Sequence, residues 1–121
     1  MIQFFVEGEP VPKQSFRVVE KRSGKTHGYA DPRVTAWQTA IGTIANQYCD
    51  KPLEGKLLAR LEFYLSNNRV VDLDNLCKAT LDGMKGIVYK DDNQIYVLHL
   101  SKEVNKKTPG VMVYVDTEVH K

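Results

Sequence analysis

Five aspartates fall between positions 72 and 92, and their spacing is the first feature of this sequence that could do chemistry. Asp72-Leu73-Asp74 sets two carboxylates two residues apart, and on an extended backbone both face one side while Leu73 turns inward. If a helix opens at either acid, the positive end of its dipole favours their charged form. Asp91-Asp92 stands just ahead of an alternating apolar run and supplies a third carboxylate in Asp92, with Asp91 as a further candidate, provided that the run begins beside the end of an earlier strand. Aspartates gathered at the ends of elements repel one another unless a cation or a proton intervenes. Their oxygens are hard ligands, suited to Mg²⁺ or Mn²⁺ and poorly suited to zinc. An ion held by two or three carboxylates keeps positions for water and phosphate oxygens, an arrangement that serves phosphodiester hydrolysis. Residue types leave a plainer reading open. Asp74, Lys78, Asp82 and Lys85 share one helical face, where alternating charges make a solvated surface of weak i,i+4 pairs, and we read Asp82 and Lys85 in that way. By spacing alone Lys78 is such a surface partner too.

The elements that must position these acids follow from periodicity. Ile2, Phe4 and Val6 alternate with polar neighbours as a first strand, which Gly8 and Pro10 stop. The stretch that follows, through Ser23-Gly24 and Gly28, reads as irregular with no element of its own. Asp31-Pro32 then opens a helix whose stripe is Val34, Trp37, Ile41, Ile44 and Tyr48, closed by Pro52, with Trp37 in the core. A second strand runs from about Lys56 to Ser66. A second helix carries Leu73, Leu76, Cys77, Leu81 and Met84 and ends near Gly86. The third strand, Gln94 to Lys102, reads as buried on both faces, with His99 packed inside. Val111, Val113 and Val115 form a fourth strand that a turn at 105–110 pairs with the third as a hairpin. The expected fold is therefore α+β (mixed α/β), a single small two-layer domain over residues 1–121, in the order β-α-β-α-β-β with helices packed on a mixed sheet.

Composition excludes several classes. The chain has 121 residues, 42% hydrophobic and 26% charged, within the range of an ordinary globular domain. Its start lacks a basic segment, a long apolar stretch and a cleavage site, and no window nears the roughly 20 apolar residues of a membrane span, so a cytoplasmic protein without a membrane partner is expected. Cys49 and Cys77 lack zinc-site spacing and read as reduced core residues. No histidine has a pairing partner that would make it a general base. A net charge of +2 is too mild to identify a nucleic-acid binder. Its distribution says more: Lys13, Arg17, Lys21, Arg22, Lys25 and Arg33 stand against Glu20 and Asp31, a local excess of +4 set against the acidic segment.

The segment Asp72-Leu73-Asp74-Asn75-Leu76-x-Lys78-x-x-x-Asp82, followed by Asp91-Asp92-x-Gln94-Ile95, closely resembles the RusA family of Holliday junction resolvases, the crossover junction endodeoxyribonucleases. The likeness extends to Pro10-Val11-Pro12-Lys13-Gln14-x-x-Arg17 and to the total length. It implies a small α/β domain that dimerises, of bacterial, phage or prophage origin. The activity implied is a Mg²⁺-dependent, structure-selective cleavage that resolves four-way junctions by paired symmetric nicks in DNA recombination and repair, with Mn²⁺ able to substitute and no nucleotide cofactor. By the same resemblance Asp72, Asp74 and Asp92 would be the metal-binding catalytic acids and Lys78 the catalytic lysine, with Asp91 and Asp82 in supporting or structural places. Some relatives carry a run of arginines before the first aspartate, where this chain has Asn67-Asn68-Arg69-Val70-Val71. DNA contacts are therefore expected from Arg69 together with Lys13, Arg17, Lys21, Arg22 and Lys25, which neutralise phosphates without reading sequence. The spacing from Asp82 to Asp91 is also shorter than in a relative. The alternatives are a nuclease for other branched DNA and a non-catalytic DNA-binding module whose acids only cap the second helix.

Overall fold

The computed structural model describes residues 1–13, 19–20, 26–27 and 31–117. The alternating run at the start forms β1 (Ile2–Glu7), with Phe4 and Val6 turned into the core. Two short strands, β2 (Val19–Glu20) and β3 (Thr26–His27), pair antiparallel inside the stretch expected to hold no element. A ribbon this short carries too few residues for a period to register in the sequence. Asp31 then caps α1 (Pro32–Tyr48), its carboxylate accepting from the Arg33 amide at 2.9 Å, with proline in the first turn as expected.

The stripe of α1 buries Val34, Trp37 and Ile41, whereas Tyr48 at its end is mostly exposed and stacks on Phe4 at 5.9 Å. After β4 (Leu57–Leu65) comes α2 (Leu73–Met84), which ends at Lys85 with Gly86 at φ +83° supplying the left-handed turn that follows. The two helices cross closely at Gly42 and Gly83. A Cβ on Gly83 would lie 3.1 Å from the Gln38 carbonyl and 3.1 Å from Cβ of Ile41. A 3₁₀ turn (Asp92–Gln94) leads into β5 (Ile95–Val104), and β6 (Gly110–Asp116) closes the described chain.

The four long strands form one sheet in the order β1-β6-β4-β5. β6 runs antiparallel to both β1 and β4, and β4 runs parallel to β5. The element order matches the β-α-β-α-β-β expectation, with helices against a mixed sheet, but the hairpin between the last two strands does not form. β5 and β6 instead flank β4, and the turn between them passes over its end, where the Asn105 amide donates to the Leu65 carbonyl at 2.7 Å. The reason lies in β4. Leu57, Ala59, Leu61, Phe63 and Leu65 are all buried on its helix-facing side, each large side chain contributing about 1.5–3 kcal/mol, and a strand so apolar is best satisfied with a neighbour on both edges.

The same order makes β5 an edge strand. None of its residues is fully buried, Leu98 and Tyr96 are exposed, and His99 points into solvent rather than packing inside, which corrects the expectation of a strand covered on both faces. The remaining buried residues form one cluster that includes Trp37, Cys77, Met84 and Tyr89. Both cysteines are buried free thiols, as read from their spacing.

Candidate functional site

Asp72 is the residue from which α2 starts, with an extended backbone at φ −73°, ψ 125°. Its carboxylate makes no capping bond to the helix amides and, among the described residues, accepts only a side-chain bond from Asn75 Nδ2, at 3.3 Å. Asp74 lies in the first turn, exposed, with Lys78 Nζ 3.5 Å away at i,i+4. The two acids thus sit across a helix start and not along an extended chain, so the alternation argument for a shared side does not apply to them.

Asp82 departs from the expected surface pairing on its own helix. Lys13 Nζ reaches it at 2.5 Å from a position 69 residues away, and the Lys13 amide donates to the Asn75 carbonyl at 2.9 Å. The segment leaving β1 is therefore laid across the charged face of α2. Arg69 serves a similar purpose nearby, donating to the Pro10 carbonyl at 2.5 Å and pairing with Glu9 at 3.2 Å. Lys102 Nζ, from β5, donates to the Val71 carbonyl at 2.7 Å and fixes the chain just before Asp72.

The Asp91–Asp92 turn is built by a capping box. The Asp91 carboxylate accepts from the Asn93 amide at 3.2 Å, and Gln94 Oε1 accepts from the Lys90 and Asp91 amides at 3.0 and 3.2 Å. The Gln94 amide then donates to the Leu53 and Gly55 carbonyls at 3.0 and 3.1 Å. One side chain thus ties the turn to the segment that enters β4. Because β4 and β5 are parallel, with Leu57 opposite Ile95, Asp92 lies near the start of β4 and not beside a strand end, as the sequence had suggested.

Several of these acids contribute to the field at two buried groups. The Cys77 thiol is pushed up to about 11, by burial first and then by the charges of Asp74 and Asp92, with Lys78 opposing them. The Tyr89 hydroxyl, which donates to the Leu81 carbonyl at 2.6 Å, is raised by burial and then by Asp92 and Asp82. Asp91 is held below the ordinary carboxylate range by the Asn93 amide, and the Asp91 carboxyl beside it, with burial, holds Asp92 above that range. Asp74, Lys78 and Asp92 therefore act on one thiol, and Asp82 and Asp92 on one hydroxyl, whereas Asp72 is described only with Asn75. Among the described residues no three carboxylate, imidazole or thiol groups converge as a ready-made cage for a metal ion. All the acids offer oxygen donors alone.

Of the expected phosphate contacts, Lys13 and Arg69 are engaged with Asp82 and Glu9 as above, and Arg17, Lys21, Arg22 and Lys25 lie outside the described residues. Gln94 was missed, although Asp91-x-x-Gln94 is a legible capping pattern. Lys102 had no local signal, because its partner is 31 residues away. No helix among the described residues is long and apolar enough to cross a membrane.

The family model for endodeoxyribonuclease RusA matches residues 7–116. A crossover junction endodeoxyribonuclease RusA from Aquifex aeolicus (strain VF5) is 31% identical over 116 residues, covering 94% of this chain and 90% of the relative.

Proposed function

The chain belongs to the RusA family of endodeoxyribonucleases, and on that premise we propose that it resolves four-way DNA junctions at a site made by Asp72, Asp74, Asp92 and Lys78. The reading is carried by the family match over residues 7–116, within which Asp74 and Lys78 stand 3.5 Å apart on α2 and Asp92 stands in the turn that Gln94 ties to residues 53–55. Two further features support a divalent cation there. The Asp72 carboxylate makes no bond to the backbone amides of the helix it starts and is held only by the Asn75 side chain among the described residues, and the Asp91 carboxyl opposes a charge on Asp92 that a cation would relieve. Asp72, Asp74 and Asp92 would hold the ion, with Asp91 as a further oxygen donor, and the donor set matches Mg²⁺ with Mn²⁺ as a substitute. When bound, the ion supplies charge neutralisation at the phosphate and a more acidic water.

The chain's own groups do the rest. Lys78, with 60% of its side chain exposed, can leave Asp74 and set its ammonium against the charge that builds on the phosphate oxygens. Gln94 keeps Asp92 in place against the repulsion of Asp91. The basic residues Arg17, Lys21, Arg22 and Lys25, together with Lys13 and Arg69, neutralise the phosphates of the arms. A two-fold homodimer of this single domain, residues 1–121, in a bacterial or phage-infected cytoplasm, would offer one site to each of two opposed strands and so cut them symmetrically.

Asp74→Asn tests the site. It should abolish nicking of a four-way junction in Mg²⁺ while junction binding persists in Mg²⁺-free buffer, and normal cutting by the variant would remove the assignment. Linear duplex should be spared, and equal cutting of duplex would overturn junction selectivity. Light scattering at micromolar concentration should return a dimer mass; a monomer would exclude paired nicking by the free protein.

A further inference from the structure

Beside the Asp91–Asp92 turn lies a shallow hollow, broadly open to solvent and of about 710 Å³, that none of the roles above uses. Lys90 and Asn93, on either side of the two acids in sequence, line it together with Lys56 and Tyr96. Its volume falls in the range of pockets that take ligands of nucleotide size, roughly 300–1,000 Å³. Glu54 is the acid among the lining residues, against the two lysines, so a positive mouth adjoins an acidic site.

Tyr96 is the unusual member. It is 64% exposed at the start of an edge strand, where a large aromatic ring would ordinarily be turned inward. Lys56 Nζ lies over one face of the ring, 4.9 Å from its centroid, which leaves the other face to solvent. The platform is also fixed. Gln94, two residues before Tyr96, is bonded to the Leu53 and Gly55 carbonyls on the opposite wall, so ring and lysine are held by the same bonds that hold Asp92. An open aromatic face with an ammonium behind it and a second ammonium at the rim matches one nucleotide, a base on the ring and phosphates on the lysines.

We propose that this cavity receives one unpaired nucleotide of the branched DNA, next to the phosphate that is cut, with its base on the open face of Tyr96 and Lys56 and Lys90 on the flanking phosphates. The base must be turned out of its stack to reach Tyr96, and this costs least at a branch point, where one stacking face is already lost, whereas inside a duplex both faces are occupied by neighbours. Tyr96 is then a selectivity residue: it reads the loss of stacking that distinguishes a junction from plain duplex. The proposal rests on the reading of Asp72, Asp74 and Asp92 as the cleavage site, and it adds the feature that a set of metal ligands lacks, a means of recognising DNA shape.

The test measures binding in Mg²⁺-free buffer to a four-way junction carrying 2-aminopurine beside the crossover, and to linear duplex, for the wild type, Tyr96→Leu and Tyr96→Phe. Tyr96→Leu should bind the junction about ten-fold more weakly and the duplex unchanged, and should lose the aminopurine signal change, while Tyr96→Phe stays within about two-fold of the wild type. Replacing Lys56 and Lys90 by alanine should lower the slope of log affinity against log salt by about 2. The proposal is overturned if Tyr96→Leu binds the junction as the wild type does, if it weakens junction and duplex equally, as loss of a mere anchor for Lys56 would, or if aminopurine reports no change with the wild type. Asp74→Asn separates the two readings. An Asp74→Asn protein that still cuts removes the cleavage site and leaves the binding result standing, whereas a dead Asp74→Asn beside a normal Tyr96→Leu removes the cavity alone.

Discussion

The two pairs of acids are held in opposite ways. Asp72 and Asp74 stand at the open start of α2, exposed, with no bond to the helix amides and only Asn75 and Lys78 as described partners. Asp91 and Asp92 stand in a turn bound by the Asn93 amide and by four hydrogen bonds of Gln94. The first pair is exposed and held only by single side-chain contacts to Asn75 and Lys78 among the described residues. The second is kept in place against its own repulsion by a scaffold around it. A site that gathers negative charge needs at least one rigid side, or the acids would spread apart whenever no cation is present.

This contrast can be broken from either side. Asp92→Asn should reduce Mg²⁺-dependent junction cleavage by roughly a thousand-fold or more, as loss of a directly acting group does, with binding retained; single-turnover nicking assays measure it. Lys78→Ala should lower the same rate by about a hundred-fold, yet leave the melting temperature within about 2 °C, because an exposed i,i+4 pair contributes only about 0.5 kcal/mol. A large thermal shift would instead make Lys78 structural. Gln94→Ala should do the reverse, costing about 2 kcal/mol and lowering the melting temperature by roughly 8 °C, since the Lys90 and Asp91 amides and the Leu53 and Gly55 carbonyls lose their partner.

The smallest effect is the sharpest on the charge itself. The Asp92 carboxyl binds a proton more readily in the folded chain, so its stabilising contribution is complete below the ordinary value of 3.8 and is lost as pH rises through its higher folded value. Asp91, whose folded value is lowered, contributes stability above the ordinary value that is lost as pH falls. In EDTA at neutral pH, Asp92→Asn should therefore melt slightly higher than the wild type, and the gap should close below pH 3.8. Calorimetry across pH measures it, and a variant less stable than the wild type at neutral pH would mean that the turn needs the Asp92 charge.

Much of the fold was legible locally. Asp31-Pro32 marked the start of α1, Gly86 the end of α2, and the alternation of Leu57 to Leu65 the strand between them, because caps and periods are written within a few residues. Strand pairing was not. The turn at 105–109 looks like a hairpin connection, but β4 takes both β5 and β6 as neighbours, and no local pattern reveals that competition. The burial of β5 failed for the same reason, since an apolar strand at an edge and one at the centre carry similar sequences.

For the acids, the sequence by itself determined their number, their hard oxygen chemistry and the motif that links them to a family of nucleases. Only the tertiary structure decided what faces them. Lys13 reaches Asp82 across 69 residues, Gln94 anchors the Asp91–Asp92 turn to residues 53–55, and the parallel register of β4 and β5 sets Lys56 over Tyr96. Covalent spacing fixes what a group is and its near neighbours along the chain. The field it feels and the partner it bonds depend on contacts closed by the packing of distant segments, and those exist only once the sheet has formed.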